Sequence, residues 1–277
     1  MFSDRYLKKS DDILQQDDID QKLRIDLWNT IQKFYFDRVY SYMSDDTYST
    51  SSLGSCVNNS LIIDLYENFM FKPIGNMRSW RLGYIKEQIE KFYKNLEWYR
   101  VYDLVEYIDN KLKDKSYSTE INFKLERNRS AYRLISNSIC PIINKEEQDS
   151  IQSASNTKYD KVNNHINKAI EIFSNKEIQD YENVIKESII AVESMCSIIV
   201  GNKSTLGDAL KKLEKNGLIM HPSLKSAFDK LYGYTSDANG IRHAGDIGGK
   251  DSTFAEAKFM LVSCSAFINY LIDSNKG

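Results

Sequence analysis

Apolar side chains return every third or fourth residue along most of this chain, the spacing that lays one stripe down an α-helix. From Asp20 onward Leu23, Leu27, Ile31, Phe34 and Tyr35 form such a stripe, behind an acidic first turn that suits the positive end of the helix dipole. Residues 44–58 are rich in Ser, Thr, Asp and Asn and predict a loop. A second helix is expected around Leu61, Ile62, Leu65 and Phe69, ending before Pro73. Leu82, Ile85, Ile89, Phe92 and Leu96, followed by Val101, Leu104, Val105, Ile108 and Leu112, predict either one long helix or a pair joined near Glu97-Trp98.

The period then changes. Ile121, Phe123 and Leu125 alternate, and Tyr132, Leu134 and Ile139 follow the polar run Arg127-Asn128-Arg129-Ser130. This pattern predicts a small antiparallel β-hairpin or a three-stranded meander. Asn144 is expected to cap a short charged helix reaching about Gln152, and residues 153–157 carry no periodic signal, so the domain boundary falls there. The division is residues 1–152 and residues 156–277.

Beyond it the helical period resumes. Val162, Ile166, Ala169, Ile170 and Phe173 mark one helix, and Tyr181, Ile185, Ile189, Val192, Cys196 and Ile199 a second, with Gly201 as its left-handed stop. Shorter helices carry Leu206, Ala209, Leu210 and Leu213, then Leu224, Ala227, Phe228 and Leu231 after Pro222. Thr253-Phe254-Ala255-Glu256 is a capping box opening a last helix whose apolar face is Met260, Leu261, Cys264, Phe267 and Leu271. Helices with one stripe each must cover one another, which predicts an antiparallel helical bundle. The expected fold is therefore mainly α: an N-terminal α-rich domain with a small β-hairpin or meander, then a helical bundle.

Composition narrows the picture only a little. A length of 277 residues fits two domains or one large one, and a net charge of −2, with acid and base balanced over residues 156–277, gives no wide footprint for duplex DNA. A local cluster that binds RNA stays open. The four cysteines show no CxxC or Cys/His spacing of the zinc kind, and Cys196 and Cys264 fall within apolar stripes, where a free Cys is a small buried hydrophobe. With three histidines and no carboxylate at ligand spacing, neither a metal nor a cofactor is expected. The N-terminus has no apolar run of signal-peptide length, and no stretch of roughly eighteen apolar residues occurs anywhere. A cytoplasmic protein with no membrane contact is the expectation.

Candidate chemistry concentrates in the long connection from Tyr232 to Ser252, which contains Asn239-Gly240-Ile241-Arg242-His243-Ala244-Gly245-Asp246. Long irregular connections in compact domains are functional or disordered. Arg offers a planar fork that matches a phosphate, and His moves a proton near neutral pH. The alternative is that Arg242 pairs with Asp237 or Asp246 while His243 caps a helix end. Glu193 follows Val192 close to a face that should be buried; it either pairs with Arg242 or edges into solvent beside Lys186. His165 and His221 read as structural. Arg78-Ser79-Trp80-Arg81 and Arg127-Asn128-Arg129 with Tyr132 mix cations and rings in a way that suits bases or phosphates.

The stretch from Tyr181 to Leu271, with YENVIKESIIAVESMC, TLGDALKKLEKNG, LKSAFDKLYGYTSDANGIRHAG and AEAKFMLVSCSAFINYLI, resembles the HEPN-type C-terminal domain of AbiJ-like abortive-infection proteins of bacteria. FSDRY, LWNTI and LERNRSAYRLISNSICPIINKEEQDSI are similar to the N-terminal domain that accompanies it. The resemblance implies a HEPN-like bundle that forms a homodimer and cleaves RNA without a metal, in antiphage defence. Arg242 would bind the phosphate, His243 would carry the proton, and Glu193 would match a polar position on the second core helix, with Asn239 and Asp246 beside Arg242 on the RNA. A phage-derived trigger or an antitoxin is the further partner it implies. In the widespread HEPN motif the His stands several residues after the Arg, whereas here the two are adjacent. The alternatives are a non-catalytic module that binds RNA, a nucleotide or a protein, and a structural dimerisation domain.

Overall fold

A computed structural model describes residues 14–40, 51–142, 144–175, 179–201, 210–211, 215, 221–236 and 252–274. Ten α-helices and one two-stranded antiparallel sheet lie among these residues, so the fold is mainly helical. Packing divides the chain into two compact units, residues 1–139 and 140–277.

The first unit opens with α1 (Gln21–Phe34). Asp20 caps it, its side chain accepting the Leu23 amide at 2.7 Å, and Leu23, Leu27 and Ile31 are fully buried along its inner face. Each such side chain contributes roughly 1.5–3 kcal/mol by leaving water. The next helix, α2 (Asn59–Asp64), runs directly into a single π-helical turn, Leu65–Phe69, and ends well before Pro73 as expected. Residues 82–112 form a pair rather than one rod: α3 (Leu82–Lys94) and α4 (Trp98–Leu112) are separated at residues 95–97. The sequence pattern is compatible with both. Arg24 fixes the break, because its guanidinium donates to the Leu96 carbonyl at 2.8 Å and to that of Tyr93 at 3.3 Å, satisfying groups at the end of α3.

The expected strand over residues 121–125 is corrected to helix. Residues Lys115–Arg127 form α5, begun by Asp114, whose carboxylate accepts the Ser116 amide at 2.9 Å. Tyr117, Ile121 and Leu125 bury at intervals of four, while Phe123 is exposed, so the apparent alternation came from a residue that faces solvent. The sheet is a hairpin of β1 (Arg133–Ile135) and β2 (Ser138–Cys140), turning through Ser136 and Asn137, both in left-handed conformations. Two left-handed residues match the twist of a tight hairpin. Asn122 of α5 clamps β1 through two bonds of 2.8 Å to the Leu134 backbone.

In the second unit α6 (Lys145–Ser155) starts at Asn144, whose side chain accepts the Glu147 amide at 2.9 Å. It is followed by α7 (Asp160–Ser174), α8 (Tyr181–Val200), α9 (Pro222–Ser236) and α10 (Phe254–Ser274). Gly201 ends α8 in the left-handed conformation at φ 77°, as its sequence position predicts. The capping box is formed: the Glu256 amide donates to the Thr253 hydroxyl at 3.2 Å, and the Glu256 carboxylate accepts the Thr253 amide at 2.7 Å. The central helix of this unit is α10, which packs on α6, α7 and α8 and buries Ala257, Met260, Leu261, Cys264, Phe267, Ile268 and Leu271. Among the described residues it is the one helix long and apolar enough to cross a membrane. Its buried side chains give that apolarity a packing role.

Candidate functional site

Asn239, Arg242, His243 and Asp246 lie outside the described residues. The helices on either side of their connection are described. One is α9, ending at Ser236, and the other is α10, whose start is fixed by the Thr253–Glu256 cap.

Glu193 stands near the first of these roots. It projects half-buried from α8, and its Oε1 accepts the Tyr232 hydroxyl of α9 at 2.7 Å. Tyr232 is thus a partner the sequence did not nominate. The signal was faint: Tyr232 follows Phe228 by one helical turn, putting a ring with a polar tip at the edge of an apolar stripe. Beside the pair Ile189, Val192, Phe228, Leu231, Met260 and Cys264 line a small cavity of about 20 Å³ that Tyr232 also borders. Burial pushes the Cys196 thiol up to about 12, aided by the Glu193 charge, and burial alone does the same to Cys264. Neither thiol is a nucleophile near neutral pH, in line with their reading as small hydrophobes.

A second constellation stands on α8, and no sequence pattern marks it. Glu187 sits on the same helix with its side chain only 7% exposed, and it meets two side chains from α7. His165 Nδ1 lies 2.7 Å from Oε2, and Lys168 Nζ lies 2.5 Å from Oε1. Beside an ionised carboxylate that ring nitrogen carries the proton and donates it. Burial alone would raise the Glu187 carboxyl, but the hydrogen bonds and charges of Lys168 and His165 outweigh it and hold the group below its ordinary value. His165 and Lys168 are three residues apart, one turn of α7, which is the spacing that lets both reach one acceptor. The structural reading of His165 holds in this form. His221 is also accounted for, since its Nδ1 accepts the Ser223 amide at 3.2 Å where α9 begins.

A profile of the family described as AbiJ N-terminal domain 4 matches residues 1–157, more than half of the chain. The chain belongs to that family. No curated protein and no solved structure matches. Membership in AbiJ N-terminal domain 4 sets the protein in the context of abortive infection. The AbiJ segment spans all of the first unit and continues through α6, stopping just before α7.

Both basic and aromatic motifs noted in the sequence fall within the AbiJ segment, and their surroundings differ. Arg127 pairs with Asp26 at 2.5 Å, Asn128 donates to the same carboxylate at 2.7 Å, and the Tyr132 hydroxyl donates to the Gln16 carbonyl. That motif holds the fold together. Arg78 and Arg81 are exposed instead, and the Trp80 between them in sequence packs its ring edge-on against Tyr66 and Tyr84.

Proposed function

We propose that this protein is a bacterial antiphage effector whose second unit is a HEPN-like domain that cleaves RNA without a metal. The AbiJ segment supplies the context. The observation that carries the finer reading is Glu193, the carboxylate that the resemblance assigns to the site, held by Tyr232 near the end of α9 from which the Arg242-His243 connection departs. In this reading Arg242 binds the scissile phosphate and stabilises the charge that develops on it, with Asn239 and Asp246 alongside on the RNA. His243 takes the proton of the 2′-hydroxyl or returns one to the leaving oxygen. Two copies of the second unit pair so that both loops face one cleft, in the cytoplasm, under control of a phage-derived trigger or an antitoxin.

The test is to express the protein and its His243→Ala and Arg242→Ala variants during infection, size cellular RNA and score 2′,3′-cyclic phosphate ends. Chelator-resistant cleavage by the parent, lost in His243→Ala, is the expected result. Intact RNA in all three strains while defence persists would overturn it. The adjacency of Arg242 and His243 favours one second reading, a module that binds RNA, a nucleotide or a protein without cutting. There Arg242→Ala weakens binding and His243→Ala is silent.

A further inference from the structure

The AbiJ segment carries a surface band in which two exposed rings and three cations stand over a row of buried and half-buried rings. It is built around the π-helical turn Leu65–Phe69, where the Met70 amide reaches the Leu65 carbonyl at 3.0 Å and the Lys72 amide reaches Tyr66 at 3.0 Å. π-turns recur at functional sites because they push one residue out of helical register. Phe71 follows with φ 52°, a left-handed conformation that bulky side chains avoid, and the residue is 79% exposed. A ring held in an unfavourable backbone state without burial gains nothing for the fold.

Lys72 turns back between two rings, with its Nζ 5.6 Å from the Tyr66 centroid and 5.5 Å from that of Phe92. From Tyr66 the rings continue edge-on to Trp80 at 6.3 Å and to the half-exposed Tyr84 at 5.9 Å. On the other side Phe92 meets Phe69 at 6.4 Å, whose face carries the Arg100 guanidinium at 4.8 Å. Arg100 is neutralised by Asp103. Lys72, Arg78 and Arg81 form no ion pair among the described residues. The turn holding the two arginines is fixed in advance, because Leu53 donates to the Trp80 carbonyl at 2.8 Å and Leu82 to that of Ser51 at 2.9 Å. Gly54 also lies against it, and a Cβ there would sit 3.0 Å from the Arg78 carbonyl.

Two exposed rings, Phe71 and Tyr84, set beside cations that form no ion pair among the described residues match a ligand that presents bases and phosphates in turn. An apolar protein partner would leave those cations unpaired in its interface. We propose that this band binds single-stranded nucleic acid, with bases stacking on Phe71 and Tyr84 and phosphates meeting Lys72, Arg78 and Arg81. The proposal stands whether or not the second unit cleaves RNA.

Anisotropy of a fluorescein-labelled, mixed-sequence 2′-O-methyl RNA single strand with the full-length protein tests it, since that probe resists 2′-hydroxyl chemistry and reports binding alone. Phe71→Ala should weaken binding about fivefold or more, the low end for a stacked base. Arg78→Gln with Arg81→Gln should flatten the salt dependence by about 0.7 in slope per cation removed. Phe123→Ala, at an exposed ring on α5, should change neither. Phe71→Gly relieves the backbone and should fold at least as well as the parent, so weakened binding there cannot be blamed on misfolding. No binding of the probe at low salt, or equal binding by parent and all band variants, overturns the proposal. So does retention of an acidic protein by the band with no affinity for the probe.

Discussion

Each unit buries a carboxylate on a helix, and the two are treated in opposite ways. Asp109 of α4 is nearly inaccessible, no ion pair reaches it among the described residues, and burial, reinforced by the Asp114 charge, lifts it to about 6. Glu106, one turn earlier, is also lifted to about 6 by burial, even though the Ile139 amide donates to it. Glu187 of α8 is as deeply placed but receives both His165 and Lys168, and ends below its ordinary value. Depth alone therefore does not set the charge state of a buried acid; the cations within reach decide its sign.

The largest expected effect comes from removing the compensated member. Glu187→Ala strips His165 and Lys168 of their shared acceptor and should cost about 2 kcal/mol, read as lost hydrogen-exchange protection in α7 and α8. Unchanged protection would show that the triad is decorative.

An effect of comparable size separates the units by pH. Between about pH 4 and pH 6 folded Asp109 and Glu106 keep protons that the unfolded chain has released, so first-unit stability should fall by roughly 1–3 kcal/mol as pH rises through that window. The Glu187 contribution has the reverse sign: complete above its ordinary value of 4.5, it is lost as pH falls through the lower folded value. Trp28, Trp80 and Trp98 all stand in the first unit, so melting followed by tryptophan fluorescence reads that unit alone. It should melt higher at pH 5 than at pH 7, and Asp109→Asn should shrink the difference. A first unit that melts lower at pH 5 would break the comparison.

The smallest effect tests the pair near the end of α9. Tyr232→Phe removes one hydroxyl bond to Glu193 and should cost about 0.5–1.5 kcal/mol, measured by denaturant titration. A larger loss would mean that Glu193 depends on that hydroxyl for its burial.

What the sequence made legible was mostly local. The stripe of α1, the Asn144 cap, the Thr253–Glu256 box and the Gly201 stop each depend on residues a few positions apart, and periodicity reports those. Residues 121–125 misled because a short window fits two periods when one exposed aromatic intervenes. The Glu187 cluster and the Tyr232 bond join residues 22 and 39 positions apart on different helices, and such pairings are fixed by packing that no stripe encodes. Of the candidate site, Glu193 alone falls among the described residues, and its partner was the part that could not be read.

The AbiJ segment ends one helix later than the first compact unit, and that helix is α6. There Glu147 pairs with Lys258 of α10 at 2.7 Å, the Ser150 carbonyl accepts from Asn269 at 2.8 Å, and Ile151 and Ala154 are fully buried. The module as inherited and the module as folded thus overlap by one helix. A chain joined to a foreign second domain at residue 157 would arrive with a docking key already cut for its original lock, so only domains whose final helix accepts that key would be exchangeable.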